Sequence, residues 1–490
     1  MIHILTSNGQ YDIFIAKIDE SGNWIWADNV FGNYDDHGMA ICNDPYGNLY
    51  ITGFFNNSIN FGSTELTSSG SRDIFIAKLN QNNEWEWAKN AGGVEMDIGY
   101  GICSDSEGNA YITGFFQNTA SFGSFNLTSS GENDVFIAKL DGNGNWRWIN
   151  EVNGSDINFG ISICTDSNDN VYTTGSFQET ATFGPFSLTS NWDQDVFVSK
   201  MSSDGNWIWV NCSSASLRAS SKDIIEDTEG NVYIIGSFVS DVSFGDINLS
   251  SVGWDDVFVA KIDEDGNWIW ANKAGGISID YGNGICIDNL GNLYITGSFY
   301  SYAIYFGDLS VITEGWSDIF IAKMNRSGNW IWVESGGSSW SDDGQNLISN
   351  SEGNVYLVGN FLDTAYFGDH VISSFDEKDL FVANLSENVS INNNITVIEN
   401  VIITNYPNPF NPSTTIEFSI ENNSHIELLI YNIKGQKIKS LTNKYFTKGS
   451  HSAIWHGYDE LGDSVSSGVY LYKLNVNGKN IAVKKCLLLK

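Results

Sequence analysis

The sequence predicts an all-β chain, with small sheets repeated over most of its length and a separate β-sandwich at its end. Three observations carry that prediction. The 490 residues include 49 Gly, 17 Trp, 21 Tyr and 29 Phe but only 5 Pro. Aromatic side chains pack well on pleated surfaces, and Gly supplies tight turns. A phrase Asp-(Ile/Val/Leu)-Phe-(Ile/Val)-(Ala/Ser)-Lys begins at Asp12, Asp73, Asp134, Asp195, Asp256 and Asp318, and returns at Asp379 with Asn for Lys. Its spacing is 61 residues, once 62, and between the copies short apolar runs alternate with period two.

Within each unit the landmarks keep step. A Trp-x-Trp pair runs from Trp24/Trp26 to Trp330/Trp332, a Gly from Gly53 to Gly359, and Phe-Gly from Phe61-Gly62 to Phe367-Gly368. In the second unit the spacing predicts strands over 73–79, 84–89, 101–104 and 110–115, with a short pair around Phe122-Gly123 and Leu127-Thr128. Turns such as Ser21-Gly22-Asn23 and Glu107-Gly108-Asn109 place Gly and Asn where a tight hairpin needs positive φ. The first strand is apolar on both faces, Ile13 and Ile15 on one and Phe14 and Ala16 on the other, which suits a sheet sandwiched between neighbours. Four main strands per unit, repeated radially, make a β-propeller. The units also resemble a bacterial β-propeller repeat family, through Asp73–Leu79, Gly92-Gly93, Asp97-Ile98-Gly99 and Asp105–Gly114. Seven copies of the first strand accompany six of the others, so six and seven blades both remain open. Ile4–Gly9 aligns with Glu65–Gly70, so the chain reads as starting in mid-repeat and as N-terminally truncated; no secretory signal is visible.

The propeller is expected over 1–385, a linker over 386–404 and the last domain over 405–490. Three of the five prolines fall in Tyr406-Pro407-Asn408-Pro409-Phe410-Asn411-Pro412, and about seven short strands follow. This segment, with Ile430–Gly435, Trp455, Asp459, Gly462, Ser467-Gly468-Val469-Tyr470 and Lys484-Lys485, closely resembles the C-terminal sorting domain of type IX secretion cargo. That family is related to the Ig-like modules of flagellar hook-capping proteins. The resemblance implies the type IX machinery as a partner and a secreted or outer-membrane surface location.

Charge narrows the functions. The net charge is −35; residues 1–400 carry 14 basic and 53 acidic side chains, and residues 401–490 carry 10 Lys against 6 acidic ones. So acidic a surface repels phosphate backbones and anionic lipid, which argues against nucleic-acid or membrane binding. No apolar run is long enough to span a bilayer. Cys42, Cys103, Cys164 and Cys286 share one repeat position with Ile225 and Ile348, and Cys212 and Cys486 stand apart. Equivalent positions in different blades are expected to lie too far apart to bridge, and the site to want a small apolar side chain.

The repeated Trp-x-Trp pairs, and the repeated Asp and Lys, read as blade packing and per-blade polar contacts. Asp36, Asp97, Asp280 and Asp342 stand in register between second and third strands, with Asn158 and Ala219 breaking the series; calcium is the ligand such carboxylates suggest. Function in a repeat protein gathers where units differ. Trp192, Trp254 and Trp316 appear only in later units, before the first strand, and Trp340 in the neighbouring loop of the last unit. Exposed indoles offer amphipathic faces for stacking on sugar rings. The six His are scattered, with neither His-Glu-x-x-His nor Gly-x-Ser-x-Gly, and only four Arg are present. The expectation is therefore a non-catalytic propeller binding a glycan or protein, or serving as an extracellular scaffold. The alternative is a polysaccharide hydrolase or lyase.

Overall fold

Alternation dictates the strands: in Ala110–Phe116 and Asp134–Leu140 nearly every side chain is buried, because neighbouring sheets cover both faces. The computed structural model describes residues 5–7, 9, 11–190, 193–374, 378–385, 395–397, 403–420, 423–432, 436–476 and 479–489. Each blade takes its two inner strands from one repeat and its two outer strands from the next. Blade two runs, from inside out, Ile98–Ser104, Ala110–Phe116, Asp134–Leu140 and Trp146–Gly154, all antiparallel. Blade one begins at His37, and blades three to six at Phe159, Arg218, Asp280 and Asp343. The inner strands of successive blades pack on one another around the axis. Before blade one comes a half-blade, Ile13–Ile18 paired with Trp24–Gly32.

The predicted strands appear with two differences. In blades one and four the outer hairpin continues without a break into the third strand, giving Thr64–Leu79 and Ile247–Ile262. The inner strands also lie closer across blades than expected. Ser104 Oγ donates to the Asn43 carbonyl at 2.9 Å and Thr165 Oγ1 to the Ser104 carbonyl at 2.9 Å, so Cys103 feels both Cys42 and Cys164. These strands crowd together where they converge on the axis, and Cys42, Cys103, Cys164 and Cys286 are free thiols.

Register explains the repeated Gly. Gly114 pairs with Phe136; a Cβ there would strike the Ile98 carbonyl and come within 2.9 Å of the Phe136 ring. The same Gly-under-Phe pair recurs in all six blades, from Gly53/Phe75 to Gly359/Phe381. The Trp-x-Trp pairs join elements. Trp146 meets Phe122 of the outer hairpin edge-on at 5.3 Å, while Trp148 Nε1 donates to the Ser203 carbonyl of the next blade at 3.0 Å. Trp87, Trp209 and Trp270 repeat that donation.

The last domain is a two-sheet β-sandwich. Ile403–Tyr406, Thr414–Ile420 and Gly449–Trp455 form one sheet. Lys437–Phe446, Ser424–Asn432, Gly468–Val476 and Lys479–Leu488 form the other, in that order. Trp455, Phe410, Phe418 and Tyr472 fill the space between them. Among the described residues, no helix is long and apolar enough to cross a membrane.

Candidate binding face

The repeated charges hold the blades together. Lys139 of the third strand sits 3.2 Å from Asp105 Oδ2 and 4.8 Å from the Tyr111 ring centre, and Tyr111 donates to the same carboxylate at 3.0 Å. Lys200, Lys261 and Lys323 repeat the arrangement with Asp166/Tyr172, Asp227/Tyr233 and Asp288/Tyr294. Burial works to raise the Asp105 pKa, but hydrogen bonds from Asn109, Tyr111 and Lys139 hold it below the usual carboxylate range. In blade six Asn350 and Asn384 replace acid and base together, so neither charge is left alone.

Asp36, Asp97, Asp280 and Asp342 do not come together. Each is buried at its own blade and clasps a loop. Asp97 accepts from the Gly93 and Gln117 amides at 2.7 and 3.1 Å, Asp342 from those of Ser338 and Leu362 at 2.5 and 2.9 Å. Asp280 accepts from Gly276 at 2.7 Å and Asp36 from Asn56 at 3.1 Å. A first-strand aspartate lies beside each, Asp73 by Asp97 and Asp318 by Asp342 among them. Burial, with the charge of Asp73 added and the amides opposing, pushes Asp97 up to about 7. Among the described residues, no group of three or more His, Cys, Asp or Glu side chains is arranged to hold a metal ion. Both carboxylate oxygens of Asp97, Asp280 and Asp342 close loops, whereas Asp36 keeps Oδ2 buried without a hydrogen-bond partner among the described residues.

The tryptophans fare differently. Trp254 and Trp316 are largely exposed and Trp340 about half exposed, on the face where the loops before third strands meet the loops between blades. Trp316 donates its amide to the Trp340 carbonyl at 3.1 Å, which brings the two rings to 6.4 Å with 31° between their planes. Trp254 stands one blade earlier, its amide on the Ser278 carbonyl at 3.0 Å and exposed Ile277 alongside. Trp192 lies outside the described residues.

Sequence reading missed the rest of this face. The Ser278 amide donates to Ser301 Oγ at 2.9 Å, and the flanking Tyr300 and Tyr302 are exposed. Arg218 grips Asp255 with Nη2 at 2.8 and 3.0 Å beside Trp254. Burial first, then Asp255, pushes the Tyr281 hydroxyl up, and its ring meets Tyr300 edge-on at 6.4 Å. The available signal was departure from the repeat: Tyr300 stands where the second unit has Gln117, and Tyr302 belongs to the one-residue insertion before Ala303, the counterpart of Thr119.

In the last domain the proline-rich motif and the final strand meet. Asn408 accepts from the Leu487 amide at 2.9 Å and donates to the Lys485 carbonyl at 3.3 Å. Buried Phe410 exchanges backbone hydrogen bonds with Leu487 and Leu489 at 2.9 Å. Tyr406 and Lys485 are exposed, and Tyr470 packs on Trp455 at 4.9 Å and donates to the Ser466 carbonyl. Pro407, Pro409, Asn411 and Pro412 shape the same loop, Gly468 opens the Tyr470 strand, and Gly435 lies outside the described residues. The structure thus gathers Tyr406–Pro412 and Lys484-Lys485 at one sheet edge.

Comparison with known proteins follows the same division. Residues 404–488 match the family described as a secretion system C-terminal sorting domain, and residues 269–298 match a beta-propeller repeat. An uncharacterized WD repeat-containing protein of Acanthamoeba polyphaga mimivirus is 22% identical over 444 residues, 73% of this chain. This chain spans about a third of that relative, 32% of its length. Among solved structures, PorZ, an essential surface component of the type IX secretion system of Porphyromonas gingivalis, aligns with TM-score 0.32 and 11% identity, over 93% of this chain and 60% of that one. A glycoside hydrolase family 32 protein of Bifidobacterium adolescentis aligns with TM-score 0.29 and 8% identity, over 99% and 94%.

Proposed function

We propose that the chain is a β-propeller protein secreted by the type IX route through its C-terminal sorting domain, and that its propeller is a non-catalytic module that binds a glycan on the tryptophan face of blades four to six. One observation carries this reading: Trp316 and Trp340 present two neighbouring, solvent-facing indoles 6.4 Å apart, tilted by 31° to one another. Burying either would remove a large apolar area from water, so something must repay keeping it exposed. A pyranose ring offers a flat C–H face of matching size. Trp254, Tyr300 and Tyr302 extend the apolar ground, and Arg218 and Asp255 add polar groups beside it.

A second reading, action on a polysaccharide, draws on the innermost strands of the ring. Blade four's inner strand carries Lys222 and Asp223 there. Lys222 reaches solvent, yet desolvation holds its ammonium below the ordinary range. Asp223, however, is tied on both sides, accepting from Ser162 Oγ at 2.8 Å and the Ile285 amide at 3.1 Å. A carboxylate so committed serves strand closure better than catalysis.

The test is a glycan-array screen of the full chain, with and without calcium, beside Trp316→Ala and Trp254→Ala variants. Binding that weakens by roughly thirtyfold in Trp316→Ala, the loss of one aromatic anchor, supports the reading. Binding unaltered in both variants, or no binding to any glycan, overturns it.

A further inference from the structure

A cleft in the loops of blade one lies apart from the tryptophan face. Its volume is about 410 Å³, and it is lined by Tyr34, Asn56, Asn57 and the run Ser68–Ser71. That volume falls in the range of sites that hold small molecules.

The repeat explains why the cleft is open here. In blade two Gln117, just past the second strand, donates to Asn133 Oδ1 at 2.7 Å, and in blade three Gln178 donates to Asp193 Oδ1 at 3.0 Å. Each glutamine thereby ties the second strand to the loop before the third. Asn56 holds their position with one methylene fewer and turns the other way, donating its side-chain amide to the Asp35 carbonyl at 2.6 Å. Ser71 is small where its counterparts are Glu132, Asp193, Trp254 and Trp316. Tyr34 stands where Glu95, Asp156, Leu217, Ser278 and Trp340 stand. Blades two and three thus put an acid at both positions and blade one at neither. Among the described residues, no Asp, Glu, Lys or Arg lines the blade-one cleft.

The chain itself holds the walls in place. Asn57 takes a left-handed φ of 62°, its amide donates to Ser68 Oγ at 3.1 Å, and Ser68 Oγ donates to the Gly70 carbonyl at 3.2 Å. The Ser69 amide donates to Asp73 Oδ2 at 2.9 Å, and the Asn56 amide to Asp36 Oδ1 at 3.1 Å. Three side-chain groups are left over. The Tyr34 hydroxyl, the Asn57 carboxamide and the Ser71 hydroxyl form no hydrogen bond among the described residues. Each both donates and accepts, as a sugar hydroxyl does. Tyr34 is 53% exposed, so its ring adds a flat apolar wall.

We propose that this cleft binds one uncharged pyranose residue, stacked on Tyr34 and hydrogen-bonded by Asn57 and Ser71. A uronate is excluded, because its carboxylate would enter a strongly acidic propeller with no cation in the cleft to receive it. The site is independent of Trp316 and Trp340, which belong to loops of other blades.

The experiment uses the full chain carrying Trp254→Ala and Trp316→Ala, which silences the tryptophan face. The probes are the methyl glycosides of glucose, galactose, mannose and N-acetylglucosamine, with glucuronic acid as the charged control. Saturation-transfer NMR and calorimetry should show at least one neutral glycoside binding saturably, one per chain, and the acid binding at least about tenfold more weakly. Asn56→Gln, Ser71→Glu and Tyr34→Glu install side chains that blade two carries at the same positions. Each should weaken binding by about tenfold or more and leave the thermal midpoint nearly unchanged. The proposal is overturned if no neutral glycoside binds, or if binding survives unchanged in Ser71→Glu and Tyr34→Glu. Equal binding of glucuronic acid also overturns it. Because two of the face's exposed indoles are missing throughout, failure here leaves the tryptophan-face reading standing, and failure of that reading leaves this test in force.

Discussion

Phe14 and Phe75 hold the same place in the same repeat, between the same kinds of neighbour in sequence, yet Phe14 is half exposed and Phe75 fully buried. The phrase Ile-Phe-Ile-Ala-Lys is identical around both. What differs is the strand alongside: Phe75 lies under Gly53, and no described strand lies over Phe14. The residue's contribution to stability therefore belongs to the pairing rather than to the phenylalanine. A repeat unit cannot bury its own third strand; the preceding unit must do it.

The sharpest way to break this comparison is to truncate both rings. Phe75→Ala should cost about 3–5 kcal/mol in chemical denaturation, the range for emptying a packed aromatic site, whereas Phe14→Ala should cost less than about 1 kcal/mol. Equal losses would mean that the half-blade is as well packed as blade one.

Next in size is the Lys–Asp–Tyr contact that Phe14's neighbour Lys17 lacks a partner strand to make. Lys139→Met leaves Asp105 buried beneath Tyr111 without its cation and should cost about 3 kcal/mol. The double change Lys139→Met/Asp105→Asn copies the Asn384/Asn350 pair of blade six and should recover more than half of that loss. A double variant no better than the single one would show that the two charges are not coupled.

A smaller and pH-dependent effect comes from the loop carboxylates. Burial pushes Asp36 and Asp97 up to about 7, and Asp73, Asp280 and Asp318 up to about 6. In the unfolded chain the same groups titrate near ~3.9. The folded state thus holds protons more tightly. That contribution is full below about pH 4 and is lost as pH rises through 6 to 7. The thermal midpoint should fall between pH 5 and pH 7.5 by more in the wild type than in Asp97→Asn, which resembles the natural Asn158 of the next unit. An equal fall in both would assign the trend to general charge repulsion alone.

The mildest expected change lies in the sandwich. Asn408→Ala removes two contacts to the final strand and should lower that domain's stability by about 1–2 kcal/mol, leaving the propeller transition in place. A shift of both transitions together would show that the two domains unfold as one.

Much was legible beforehand because repetition writes structure into sequence. The 61-residue spacing, the Gly-Asn turns and the two-faced apolar strands placed nearly every propeller strand. The exposed indoles were also found in advance, since Trp254, Trp316 and Trp340 break the pattern around them. Tyr300 and Tyr302 escaped notice because a Tyr in a β-rich chain is ordinary until its exposure is known. The loop-closing role of the aspartates was not legible either: carboxylates in register look like ligands, and only the structure shows Asp97 and Asp342 accepting from the backbone amides of Gly93, Gln117, Ser338 and Leu362.

By itself the sequence determined the local geometry: period, turn chemistry, strand faces and the sorting-type motif at the end. These depend on residues near one another along the chain. Only the tertiary structure decided which strands share a sheet, that blades draw on two repeats each, and that Trp316 meets Trp340. It alone decided that Phe14 lies open while Phe75 is sealed, because burial is set by which other strands lie alongside and over each one, and no local pattern contains their positions.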